Sequence, residues 1–172
     1  MEHLILLFPL LGMEFDGKSV RFGQRREEVE GLLGRPERER GSRCYYFDSE
    51  LALDYDGEEK LRFIEFLGGP EGSLRPDLYG MSVFEAEADE VYNLLNGRNG
   101  DDINDSEAGY AYAFRTLSVG LYREITPEDV TAMVREMSRM DMTALSTFDL
   151  EAENRRANHW ATVGIGEKDY YG

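Results

Sequence analysis

The chain has 172 residues, 41% of them hydrophobic and 12% aromatic. That is enough to bury one good core, and too apolar for a collagen-like, low-complexity or wholly disordered class. Thirty-five acidic residues against 19 basic ones give a formal net charge of -16, which repels phosphate backbones and anionic lipid headgroups and so argues against nucleic acid and bare membrane as partners.

The run Leu4 to Gly12, LILLFPLLG, looks like the hydrophobic part of a secretion signal but follows Glu2 rather than a basic start, and no small-residue cleavage site follows it. It is also far short of the roughly 20 apolar residues that span a bilayer. It is expected to be a buried strand or docked arm broken at Pro9, in a cytoplasmic protein. From Gln24 to Leu33, Val29, Leu32 and Leu33 fall on one helical stripe, and Gly34 and Pro36 end it. Aromatic and β-branched runs then predict strands at Cys44 to Phe47, Leu51 to Tyr55 and Leu61 to Leu67, with Asp56-Gly57 turning between the last two. Cys44 is the single cysteine. No intramolecular disulfide or Cys/His zinc pair can form, and the thiol is expected to be a small buried side chain. No cofactor or metal is called for.

The phrase then returns. EVEGLLGR at Glu28 to Arg35 is answered by EVYNLLNGR at Glu90 to Arg98, with Phe22 and Phe84 each seven positions ahead of the valine. Ala88, Val91, Leu94 and Leu95 form a second helical stripe, which Asn96-Gly97 is expected to stop. Tyr45-Tyr46-Phe47 is echoed by Tyr112-Ala113-Phe114, and Tyr55 by Tyr122; the second copy carries five extra residues in an acidic loop. Strands are predicted at Tyr110 to Phe114 and Leu117 to Tyr122. A third helix is predicted from Pro127 to Met142, with Thr126 as its N-cap and Glu128 and Asp129 at its positive end, and a last strand at Trp160 to Ile165.

A helix with one apolar stripe and a meander with one apolar face is marginal by itself. The chain therefore reads as an α+β protein, a single domain over 1–172 in which two tandem helix-plus-antiparallel-meander repeats (13–69 and 79–125) share one sheet. Helices pack on one face, and residues 126–172 supply a C-terminal helix and closing strand.

Phe22-Gly23-Gln24-Arg25-Arg26-Glu27-Glu28-Val29 followed by Leu32-Leu33-Gly34-Arg35-Pro36 resembles the helix entry of tandem-repeat bacterial binding proteins typified by β-lactamase inhibitor protein and small outer-membrane assembly lipoproteins. It also looks like that of small bacterial immunity proteins encoded beside secreted toxins. The resemblance covers residues 20–67 well and 80–124 loosely. It implies a concave antiparallel sheet backed by helices, presenting aromatic and acidic residues to another protein. The second copy departs from the pattern, with Asn96-Gly97 where the first has Leu-Gly-x-Pro.

The candidate contacts are acids and tyrosines. Asp101, Asp102, Asp105 and Glu107 crowd the inserted loop. Read as a calcium loop from Asp102, it has Glu107 where glycine is required and Ala113 where glutamate is required, which leaves a solvated acidic loop or a contact for a basic partner surface. Tyr46, Tyr110 and Tyr112 are strand tyrosines suited to interfaces. Asp48, Glu50 and Asp54 alternate opposite Leu51, Leu53 and Tyr55. No nucleophile elbow, P-loop, zinc-protease or dinucleotide motif occurs, and any two of 35 acids can meet without function. The expected function is a non-enzymatic protein-binding module, an immunity or inhibitor protein that occludes a basic toxin or enzyme, acting as a monomer or weak homodimer. The alternatives are a scaffold subunit of a homo-oligomer and a small hydrolase-type enzyme.

Overall fold

Asp16-Gly17 (φ 51° and 82°) and Tyr79-Gly80 (φ 53° and 84°) carry the paired positive φ of type I′ turns, whose twist suits a two-residue hairpin. The first closes β2 (Gly12–Phe15) on β3 (Lys18–Arg21), and the second closes β8 (Pro76–Leu78) on β9 (Met81–Ser82). With β1 (Ile5–Phe8) they form a five-stranded sheet in the order β3-β2-β1-β8-β9, in which β1 and β8 run parallel. The computed structural model describes residues 2–139 and 149–172.

Each hairpin leads into a helix. The first, α1 (Arg26–Leu33), buries Val29 and stops at Gly34, where φ is 89°. The second, α2 (Ala88–Asn99), buries Ala88, Val91 and Leu95. It runs through the expected stop at Asn96-Gly97 to Gly100, because the buried Asn99 side chain secures its last turn, donating to Asp102 O at 2.9 Å and accepting from Leu117 N at 3.2 Å. An internal glycine costs a helix only about 1 kcal/mol, less than those bonds return.

After α1 come β4 (Arg38–Arg40), β5 (Arg43–Tyr46), β6 (Leu51–Tyr55) and β7 (Leu61–Phe66); after α2 come β10 (Ile103–Asn104), β11 (Ala111–Phe114) and β12 (Val119–Tyr122). Both meanders belong to one eight-stranded antiparallel sheet, joined through β13 (Thr162–Gly166) in the order β10-β11-β12-β13-β7-β6-β5-β4. The protein is thus α+β, with two sheets rather than the single one expected. The extra sheet was missed because its strands are two to four residues long, too short for a clear alternation. Between β6 and β7, Asp56 organises the turn by accepting from Glu58 N and Lys60 N, each at 2.9 Å, and the left-handed residue is Glu59 rather than Gly57.

The tyrosine echo does not keep its faces. Tyr55 is buried and Tyr122 is exposed; Tyr45 alternates with buried Cys44 and Tyr46, whereas Tyr112 shares its side with buried Phe114. A one-residue offset in a strand reverses every side chain, so these positions are not structural equivalents.

The third helix, α3 (Pro127–Met137), begins as expected: Thr126 Oγ1 accepts from Asp129 N at 3.2 Å, and Asp129 Oδ2 accepts from Thr126 N at 3.0 Å. It stops at Met137, with Ser138 as its C-cap, short of the expected Met142; of that expected stretch, residues 140–142 lie outside the described residues. A further helix, α4 (Leu150–Ala157), was not anticipated; Asp149 caps it. A contiguous core lies between the inner face of the large sheet, the small sheet and the apolar stripes of α1 and α2, with Phe66, Phe84, Phe114 and Trp160 among its largest fully buried side chains. Each such ring contributes about 1.5–3 kcal/mol. Cys44 is buried in it, as expected.

Candidate functional site

Strand alternation leaves the large sheet a second face, away from the core. Its register places Ala113, Gly120, Gly164, Glu65, Ala52 and Tyr45 in one row across six strands. Four of those six are Ala or Gly, so the middle of the face is a trough.

Aromatic side chains fill one side of it. Tyr170 stacks on Phe63 with ring centroids 4.3 Å apart, and Tyr171 meets Phe63 edge-on at 6.0 Å. They sit where side chains are missing: a Cβ at Gly120 or Gly164 would run into the Tyr171 hydroxyl, and one at Gly166 into the base of Tyr170. Glycine inside a strand commonly marks such a close approach. Burial pushes the Tyr171 phenol well above its ordinary value, so it is neutral at every physiological pH, and among the described residues its hydroxyl has no hydrogen-bond partner.

Beside this pair is a recess of about 270 Å³. Its floor is Ala111, Ala113, Gly120 and Gly164, and Tyr122 and Tyr171 form aromatic walls. Glu65 closes one end, and Ser106 and Glu107 of the loop after β10 close the other. Among the described residues no Lys, Arg or His lines it. Arg123 fixes the loop's base, donating to Gly109 O and Ala157 O at 2.7 Å each from a buried position over the Trp160 ring.

On the far side of Glu65 the same face holds an internal cation. Arg43 donates through Nη1 to Asp54 Oδ2 at 2.6 Å, through Nη2 to Glu65 Oε1, and through Nε to Tyr45 Oη at 3.1 Å. Its guanidinium lies 5.4 Å from the Tyr45 ring centroid. Burial works against its charge, but the Glu65 hydrogen bond and the Asp54 and Glu65 charges outweigh it, holding its pKa above the ordinary arginine value. An arginine on this face is thus seated by two carboxylates and a tyrosine.

The residues singled out in the sequence are scattered rather than gathered into one site. Glu107 lines the recess, and Asp54 lies on the same face, bound to Arg43. Asp101, Asp102 and Asp105 are exposed on the neighbouring loop, where Asp102 pairs with Arg115 at 3.3 Å; part of that segment is the strand β10 rather than free loop. Tyr46 faces the core instead of a partner, donating its hydroxyl to Gly34 O at 3.1 Å. Tyr112 also turns to the core side, against Tyr92 and Trp160, and accepts from Gly109 N at 2.8 Å. Tyr110 keeps an exposed ring but commits its hydroxyl to Asp129 at 2.6 Å.

Asp48 and Glu50 do not extend the β6 stripe. They stand in a turn where Phe47, Asp48 and Ser49 all have φ between 54° and 66°. Glu50 is structural there, accepting from Ser73 N, Ser73 Oγ and Leu74 N at 2.8–3.1 Å. Sequence reasoning missed Glu65, Arg43 and the glycine floor. Glycines at 120, 164 and 166 inside otherwise strand-like runs were the available signal.

No protein-family model, curated protein or solved structure matches this chain.

Proposed function

We propose that the protein is a binding module for another protein, one that docks a basic surface on the outer face of the large sheet and acts as an immunity or inhibitor protein by occlusion. The observation that supports this best is the cation-free recess, walled by tyrosines and carboxylates, on a chain of formal net charge -16. Tyrosine offers large, stiff contact area, and the net field favours fast encounter with a cationic partner. The resemblance of residues 20–67 to tandem-repeat binding proteins and immunity proteins agrees with this reading.

The test is capture from the source organism's lysate by the tagged chain, followed by titration of the purified captured protein. A single basic partner whose affinity falls steeply with salt is expected; absence of any partner, or an affinity indifferent to salt, would refute the reading. One observation favours a homo-oligomeric scaffold instead: Leu10 and Leu11 stand exposed at the β1–β2 turn, and Tyr79 at the β8–β9 turn, both at the same end of the parallel β1/β8 pair. Sedimentation over a hundredfold concentration range decides that alternative.

A further inference from the structure

We propose that the recess is a socket for one arginine side chain of the partner. The inference rests on the protein-binding reading and names the chemistry that the site recognises.

Size comes first. A volume of about 270 Å³ lies just below the roughly 300–1,000 Å³ of ordinary ligand pockets, a scale that suits one long side chain. Chemistry comes next. The carboxylates of Glu65 and Glu107 only accept, and the hydroxyls around them can accept as well. With no cation in the lining, an anionic guest would meet only like charge, whereas a donor-rich cation meets partners on every side.

The carboxylates are also free to receive it. Arg43 engages Glu65 through Oε1 alone, leaving Oε2 without a hydrogen bond among the described residues; there the Glu107 carboxylate likewise makes no ion pair. Glu65 is only 22% exposed, so its second oxygen is partly stripped of water, which raises the value of a charged donor.

Geometry selects arginine over lysine. The Arg43 seat next door already holds a guanidinium between Asp54 and Glu65 with Tyr45 alongside. The recess offers the same kinds of group without a guanidinium: carboxylates at its two ends, Glu65 and Glu107, and the rings of Tyr122 and Tyr171. A planar five-donor fork grips one carboxylate bidentately while stacking on an aromatic wall, which a point-charge ammonium does not do equally well. Tyr171 covers Gly120 and Gly164, so the short side chains of Ala111 and Ala113 are what leave space for the arm.

The probe is the blocked tripeptide acetyl-Gly-Arg-Gly-amide, titrated into the full chain and followed by amide chemical shifts. Lysine and citrulline versions serve as controls, citrulline being the neutral isostere of arginine. The expected result is saturable shifts centred on Ala111–Ala113, Gly120–Tyr122 and Thr162–Gly164, present with arginine, weaker by about fivefold with lysine and absent with citrulline. Glu107→Gln, an exposed loop change that leaves packing intact, should weaken binding about fivefold, the upper range for a partly exposed pair. Ala113→Leu, which fills the floor, should abolish it while the remaining spectrum stays folded.

Shifts of equal size with lysine, shifts confined to Asp101–Asp105, or binding that survives Ala113→Leu would overturn the socket. The two readings separate in the captured complex. A partner held at full affinity by Ala113→Leu would refute the socket and leave the binding function standing. Specific arginine binding with no partner captured would do the reverse.

Discussion

Replacing Arg43 by methionine keeps the apolar stem and removes the guanidinium from between Asp54 and Glu65. Three hydrogen bonds go with it, two of them to carboxylates. The three charged side chains are 24%, 20% and 22% exposed, which places the cluster between two regimes. An exposed pair is worth about 0.2–1 kcal/mol, and removing one partner of a buried pair costs about 3–5 kcal/mol. Access of water to about a fifth of each side chain lowers the second figure, and a loss of about 2–3 kcal/mol is expected. In urea, with an m-value of about 2 kcal/mol/M for a domain of this size, the midpoint should fall by roughly 1–1.5 M. The diagnostic is the triple variant Arg43→Met, Asp54→Asn, Glu65→Gln, which no longer leaves two carboxylates without a counter-ion and should recover more than half of the loss. A midpoint change below about 0.3 M in Arg43→Met, or no recovery in the triple variant, would show that Arg43 is an ordinary surface charge, and the analogy between its seat and the recess would fall with it.

Gly164→Ala drives a methyl group into the Phe63 ring and the Tyr171 hydroxyl; overpacking of this kind costs about 1–3 kcal/mol, and adding Tyr171→Ala should relieve only part of it because Phe63 remains. Thermal unfolding measures both, and a Gly164→Ala midpoint equal to wild type contradicts the packing described. The Tyr110 hydroxyl, then the Thr126 amide, hold the Asp129 carboxyl below its usual range. Because the folded-state value is depressed, the associated stability is present above the unfolded value of about 3.9 and is lost as pH falls through the folded value. Tyr110→Phe should move the Asp129 carboxyl titration upward in carbon-detected NMR, and an unmoved titration rejects the contact. Cys44 is fully buried, and burial pushes its thiol up. Its reaction with a disulfide reagent should therefore track global unfolding; labelling of the native chain at the rate of a free thiol would place it at the surface.

Local signals carried much of this architecture. Val29 with Leu32-Leu33-Gly34, the Thr126-Pro127 cap, and the alternation through Leu51–Tyr55 and Leu61–Phe66 each depend on neighbours within a few positions. They specified α1, the start of α3 and the strands β5, β6 and β7, but not the short edge strand β4. The acidic charge of the chain was equally legible, and with it the class of partner proposed. The extra hairpins could have been read from Asp16-Gly17, a turn signal flanked by short strands that alternation alone is too brief to reveal.

Tertiary structure decided the rest. The sequence does not say that β13 inserts between β12 and β7, or that β1 finds β8 in parallel, because pairing between distant segments is selected by the total burial it achieves and not by the propensity of either strand. The recess follows from those pairings. Glu65 comes from β7, Gly120 from β12, Gly164 from β13 and Tyr171 from beyond it. In the sequence Glu65 was one acid among 35 and the glycines were interruptions. Only the register of three strands puts them side by side, and the same register turned Tyr46 and Tyr112 inward, since one position along a strand decides which face a side chain occupies.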